Sequence, residues 1–263
     1  MKKKFMIAAL FGLGSALPLM SMAQELEGSE TDHELSANIG LFSQYVWRGM
    51  TQSEKQPALQ GGIDYAHVSG FYLGAWASNV RWPRAGEDDA SLYRSGGTVE
   101  LDLYGGYGGN IGETGIGYDV GVIQYLFPGS WRSGNPRANA TELYAGISYG
   151  WLSARYSHVV SGDAWGFDDA RGTGYYEVNA DIPLWDSGFA LNLHVGSFRF
   201  AGRSGGIGND EYDYEDWKIG LTRSWDNGIV AGGYWTDNNA DTDDGWSKRM
   251  TESQLTLFIQ KVF

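Results

Sequence analysis

The sequence predicts an all-β protein, a transmembrane antiparallel up-and-down β-barrel of about 12 strands with short periplasmic turns and long extracellular loops. Three observations carry that expectation. Apolar and polar residues alternate with period two along much of the chain, the breaks between alternating runs are short and long by turns, and the composition suits strands. Glycine, at 39 residues, weakens helices, while 11 Trp and 16 Tyr favour strands. Disordered low-complexity chains share the glycine but not the aromatics.

Taken in order, the strands are expected to begin near Glu34, Gln56, Gly70, Gly97, Glu113, Asn139, Trp151, Gly172, Gly188, Tyr212, Gly228 and Thr251. The alternation is cleanest where Val99, Leu101 and Leu103 face away from Glu100, Asp102 and Tyr104. It recurs where Tyr176, Val178, Ala180 and Ile182 oppose Glu177, Asn179 and Asp181. From Phe189, residues Leu191, Leu193 and Val195 alternate with Ala190, Asn192, His194 and Gly196, and Leu255, Leu257 and Ile259 alternate with Gln254, Thr256 and Gln260.

A soluble sandwich also has one apolar face per strand, so the connections decide. His67 to Gly70, Gly108 to Gly112, Tyr149-Gly150, Trp185 to Gly188 and Trp225 to Gly228 are tight, with Gly, Asn or Asp placed for hairpins. Between them stand the breaks Met50 to Lys55, Val80 to Gly96, Pro128 to Ala138, Ser161 to Arg171, Ala201 to Glu211 and Asn238 to Met250, most of them long and polar. A Greek-key sandwich gives no reason for such sorting. Tyr45, Trp47, Trp76, Tyr125, Trp151, Trp185, Trp217, Trp225 and Trp235 lie near strand ends and are expected to form girdles at the two interfaces.

The N-terminus reads as an export signal over residues 1–23. Lys2 to Lys4 are basic, Phe5 to Leu19 is an apolar core, and Ser21-Met22-Ala23 is a small-x-small cleavage pattern. A periplasmic segment, 24–33, and the barrel, 34–263, follow. Three of the 19 basic residues lie in the signal, which leaves 16 against 32 acidic ones, a charge near −16. That excludes a nucleic-acid partner, whose phosphates need Lys and Arg. With no Cys, thiolate metal and catalytic sites are excluded as well. The chain ends in Phe263 on an amphipathic strand, which points to the barrel-assembly machinery as a partner beside outer-membrane lipid.

Tyr45-Val46-Trp47-Arg48-Gly49-Met50-Thr51-Gln52, Pro57 to Tyr65 and Gly70 to Val80 resemble the TorF porin family, also catalogued as conserved hypothetical proteobacterial exported proteins. Glu100 to Tyr107 and Thr141 to Tyr144 continue the resemblance. It implies location in the outer membrane of a Gram-negative bacterium and a pore. It supplies no catalytic residue and no substrate.

With the apolar face towards lipid, the lumen receives Asp64, Glu100, Asp102, Asp119, Glu142, Glu177, Asp181 and Asp216, with Arg48, Arg155 and Lys218 as basic counterparts. A barrel of this strand number is roughly 24 Å across between backbones, which leaves a path on the order of 10 Å after side chains. Glycines on that face, such as Gly40, Gly62, Gly74 and Gly196, are expected to keep the bore open or let strands bend. Acids in excess favour cations. The expected function is passive diffusion of small hydrophilic solutes with a cation preference, and the alternative is a non-conducting structural or surface-binding barrel. Lumen aromatics Tyr72, Trp76, Tyr104 and Tyr144 are either stacking surfaces or filler.

No catalytic residue, cofactor or metal is expected. His67 and Ser69 are close in sequence but sit on a tight turn, and His194 faces the lumen by parity. Asp237 to Gly245 alternates oxygen ligands like a calcium loop, but lacks its sixth-position glycine and has Lys248 at the twelfth position.

Overall fold

The computed structural model describes residues 32–84, 91–243 and 245–263. The export signal and the segment that follows it, up to residue 31, lie outside the described residues. Twelve strands close into one antiparallel barrel. They are β1 (His33–Phe42), β2 (Ala58–His67), β3 (Phe71–Asn79), β4 (Val99–Asn110), β5 (Ile116–Leu126), β6 (Ala140–Tyr149), β7 (Leu152–Val159), β8 (Gly174–Pro183), β9 (Phe189–Arg199), β10 (Tyr214–Ser224), β11 (Ile229–Asn238) and β12 (Gln254–Val262). Each pairs with its neighbours in sequence, and β1 closes the ring on β12 with Asn38 opposite Val262 and Phe42 opposite Phe258. Strand starts and the alternation of tight turns and long loops follow the sequence expectation throughout.

The alternation sorts the two faces. Leu41, Leu59, Leu143, Ile147, Val195, Leu255 and Leu257 each leave about half or more of their surface exposed outward, while Asp64, Asp119, Glu142 and Thr256 are almost wholly buried inside. An exposed aliphatic belt around a polar interior inverts the order of a water-soluble protein. Trp151, Trp185, Trp217, Trp225 and Trp235 are exposed outward, as a girdle requires. Tyr45, Trp47, Trp76 and Tyr125 are not. They pack inside, where Trp47 meets Tyr125 at 5.8 Å and Tyr45 meets Trp76 at 5.4 Å between ring centres.

The reason for that correction is the loop between β1 and β2, which turns into the barrel. Val46–Trp47 pairs with Met50–Thr51 as a short hairpin. Its tip, Arg48 and Gly49, has φ of 45° and 79°. Two left-handed residues between paired strands make a two-residue hairpin turn of the type usually built from Asn-Gly. A side chain on Gly49 would run into Asp216, so glycine is required there.

Inward glycines have a different use from the open bore expected of them. A Cβ on Gly74 would meet the Tyr104 ring at 2.5 Å and Asp64 Oδ1 at 2.6 Å, and one on Gly196 would meet Tyr175 and Asp216. Gly106 stands in the same relation to Tyr72, and Gly121 to Tyr144. Each missing side chain lets a tyrosine ring from a nearby strand lie flat against the wall. Gly74→Val is therefore expected to destabilise the barrel by ~1–3 kcal/mol, the usual cost of overpacking. In Gly74→Val/Tyr104→Ala the second change should restore part of that loss, read by urea unfolding in detergent micelles.

Candidate functional site: the bore

The hairpin tip crosses the interior. Arg48 donates end-on to Glu142 of β6, with Nη1 and Nη2 each 2.8 Å from a carboxylate oxygen. Tyr214 of β10 donates to the Arg48 carbonyl at 2.8 Å, and Asn238 of β11 donates to the Gly49 carbonyl at 2.9 Å. At the hairpin's base, Tyr45 reaches Glu100 of β4 at 3.4 Å. β4 and β10 are six strands apart in a ring of twelve, so the hairpin bridges opposite walls. Its guanidinium lies 4.2 Å from the ring centres of Trp47 and Tyr175 and 4.7 Å from that of Phe198. A planar, weakly hydrated cation suits such an aromatic cage.

The expectation of a path on the order of 10 Å through the barrel is accordingly corrected. Strand number bounds the wall, but a loop occupies the space within it. Small voids flank the hairpin. One of about 20 Å³ lies among Arg48, Tyr175, His194, Asp216 and Tyr234, and one of about 50 Å³ among Trp47, Trp82, Phe198 and Trp246. Each holds at most a few waters.

Of the eleven residues assigned to the lumen, Asp64, Glu100, Asp102, Asp119, Glu142, Glu177, Asp216, Arg48 and Arg155 are buried, with exposures from 1% to 8%. Lys218 is half-buried, and Asp181 is exposed near the turn end of β8, where it accepts from Asn192 at 2.6 Å. Tyrosines satisfy most of the buried acids. Tyr72 donates to Asp119 at 2.6 Å, Tyr125 to Glu142 at 3.0 Å, Tyr175 to Asp216 at 2.8 Å, and Tyr104 to Asp64. Tyr72, Tyr104 and Tyr144, read from the sequence as stacking surfaces or filler, belong to this network. The pairing joins residues from 17 to 55 positions apart, so no local motif announces it.

Bases are fewer. Arg155 lies over the Tyr144 ring at 3.6 Å and 3.7 Å from Asp119, a charge contact too long for a hydrogen bond. His194 joins β8 to β10, with Nδ1 2.7 Å from Asn179 Oδ1 and Nε2 3.0 Å from Asp216. One oxygen each of Asp64, Asp102 and Asp119 is buried without a hydrogen-bond partner.

The other candidates do not assemble into chemistry. His67 Nδ1 is 2.7 Å from Ser69 Oγ, but it also accepts the Ser69 backbone N–H at 3.1 Å. That is a local turn, and none of its hydrogen bonds to described residues brings in an orienting carboxylate. Asp244 of the calcium-like loop lies outside the described residues. Asn238 turns away to the Gly49 and Met250 carbonyls, and Asp237 accepts the Asn238 N–H.

A family model described as "Bacterial protein of unknown function (Gcw_chp)" matches residues 26–263. The TorF name suggested by the sequence is not the one that this match carries. No curated protein matches the chain. Among solved structures the chain is similar to "KdgM porin", with a TM-score of 0.52 and 11% identity over 87% of this chain and 99% of that one. It is also similar to "KdgM porin in complex with disordered oligogalacturonate", with a TM-score of 0.50 and 11% identity over 87% and 98%. At such identities the likeness establishes a shared porin fold.

Removing one partner of a buried ion pair leaves the other unpaired and costs ~3–5 kcal/mol. Arg48→Met and Glu142→Leu are each expected to lose stability of that order. Arg48→Met/Glu142→Leu should lose clearly less than the sum of the two, in a double-mutant cycle of unfolding free energies.

Proposed function

We propose that this chain, which belongs to the Gcw_chp family, is an outer-membrane channel through which small hydrophilic solutes diffuse, with a preference for cations. The observation that carries the reading is the charge inside the barrel. Among the described residues, the carboxylates of Asp64, Glu100, Asp102, Asp119, Glu142, Glu177, Asp181 and Asp216 stand against the cations Arg48, Arg155 and Lys218, and one oxygen each of Asp64, Asp102 and Asp119 lacks a hydrogen-bond partner. A plug that served packing alone would balance its charges, because an uncompensated buried charge is costly. In a low-dielectric bore the surplus focuses a negative potential and concentrates cations. The aliphatic belt and outward tryptophans support a membrane setting, with tight turns on the periplasmic side and long loops outside.

The hairpin sets the width of this channel. Arg48 in a left-handed conformation is a strained choice for a non-glycine residue, and such strain marks positions held for a purpose. Here it aims a guanidinium across the bore. The filling of the interior by the hairpin also favours the second reading, a non-conducting structural or surface-binding barrel.

Single-channel recording in planar bilayers separates the two. A small conductance is expected, with a reversal potential in a salt gradient that reports cation preference. Excision of 46–51 with a Gly-Gly bridge should raise the conductance severalfold. Anion preference would overturn the charge argument, and silence of both proteins would leave the non-conducting barrel.

The hairpin loop is also fastened at the outer rim. Lys55 pairs with Glu252 at 2.6 Å and Arg249 with Glu54 at 3.1 Å. The Lys55 hydrogen bond and charge hold the Glu252 carboxyl below its usual range. A carboxylate lowered in this way keeps its pairing above its ordinary pKa and loses it as pH falls through the lowered value. Current fluctuations are therefore expected to grow as the pH drops through and below the usual carboxylate range. Glu252→Gln should show them at neutral pH, with a flatter pH response.

A further inference from the structure

One cavity lies on the outside of the barrel. A groove of about 860 Å³ crosses the outer wall over β6 to β10. Its floor is backbone along one hydrogen-bonded row, Gly146 opposite Arg155, Arg155 opposite Glu177, Glu177 opposite Gly196 and Gly196 opposite Asp216. The side chains of that row point inward. Five strands put the groove's length at ~19 Å from interstrand spacing. Successive strands are staggered, so the row climbs from the turn side at β6 to the loop side at β10.

The two flanks differ in chemistry. On the turn side, Ile147, Ala154, Val178, Val195 and Trp217 give an apolar bank. On the loop side, Tyr156 and Tyr176 stack at 4.6 Å, beside Ser197 and Glu215. One register step further towards the loops, Gly174 separates His158 from Arg199, and the Tyr156 ring lies across the glycine. Tyr156 is 2.9 Å from His158 Nδ1, and Arg199 is 2.7 Å from Glu215 and 3.9 Å from Asp213.

A groove that starts at a polar rim and descends into the apolar belt matches a lipid rather than a soluble ligand. Its length compares with the ~15 Å depth of one leaflet, half of a ~30 Å hydrocarbon core. The rim selects among headgroups. Its hydroxyls and carboxylates accept from sugar hydroxyls, the exposed Tyr176 ring offers a face to a sugar ring, and Arg199, which gives one nitrogen to Glu215, keeps further N–H groups for a phosphate oxygen. A second copy of the chain is disfavoured, because a convex barrel wall cannot fill an oblique furrow. We infer that this groove binds a phosphorylated glycolipid of the loop-side leaflet, with an acyl chain along the row and the sugar phosphate at the Tyr176–Arg199 rim. The inference rests on the membrane placement proposed above but not on conduction.

The test is native mass spectrometry of the folded full-length barrel, exchanged into micelles that contain lipid A, dephosphorylated lipid A or phosphatidylethanolamine. One retained lipid A per barrel is expected. Ala154→Trp and Ser197→Trp, which fill the groove from lipid-facing positions, should cut retention about tenfold, while Leu257→Trp on β12 should not. Arg199→Gln should abolish the preference for the phosphorylated form and keep chain binding. Equal retention by all variants overturns the site, as does a preference for phosphatidylethanolamine, or a dimer peak lost in Ala154→Trp. Heat-modified gel mobility confirms that each variant is folded. Conductance of the same variants keeps the two readings apart. Silent barrels that lose lipid on Ala154→Trp would sink the channel alone, and conducting barrels with unchanged lipid would sink the groove alone.

Discussion

Closure of the backbone hydrogen-bond ring is the constraint on which everything else in this structure depends. A strand edge exposed to hydrocarbon would leave N–H and C=O groups unpaired at several kcal/mol each. Pairing β1 with β12 removes both edges. Once the sheet is a ring, each strand has only an outside and an inside, and residue parity assigns every side chain to one of them. Leucines, valines and isoleucines go out. Carboxylates, amides and glycines go in, into a space whose dimensions the ring has already fixed.

The interior answers a second demand that closure creates, the need to partner acids away from bulk water. The solution is mostly phenolic. Tyr45, Tyr72, Tyr104, Tyr125 and Tyr175 each bring a hydroxyl to a different carboxylate, and inward glycines make the room in which several of those rings lie. Arg48 supplies a bidentate ion pair, at the point where opposite walls come within reach of a single hairpin. Neutral donors satisfy carboxylates without cancelling their charge.

The wall was legible in the sequence and its contents were not. Period-two alternation and turn chemistry are local signals, so the strands around Glu100, Glu177 and Leu255 could be placed from their own residues. Parity then put Asp64, Glu142 and Asp216 on the inner face. The partners that make those positions a site come from far along the chain, and spacing does not encode them. Tyr45-Val46-Trp47 illustrates the limit. Its alternation continues that of β1, so it reads as a strand end with girdle aromatics. Arg48-Gly49 then adopts the geometry of an Asn-Gly turn and sends the segment inward. The signal was present as a Gly after a short alternating run, although arginine in a left-handed conformation is not what turn statistics favour. The outer groove left no local trace, because the small outward residues along it, Ala145, Ala154 and Ser197, come from three different strands.

The hairpin also bears on the order in which the molecule can be built. It lies between the first two strands, yet its tip is secured by residues 94, 166 and 189 positions later in the chain. Contacts of such long separation carry a large loop-closure cost and form late. The segment that narrows the barrel can make its full set of contacts only when β6, β10 and β11 all stand in the wall. A barrel whose β11 has not yet joined lacks the last of those anchors. The narrowing of the bore is thus completed with the last strands of the wall, although the segment that narrows it follows the first.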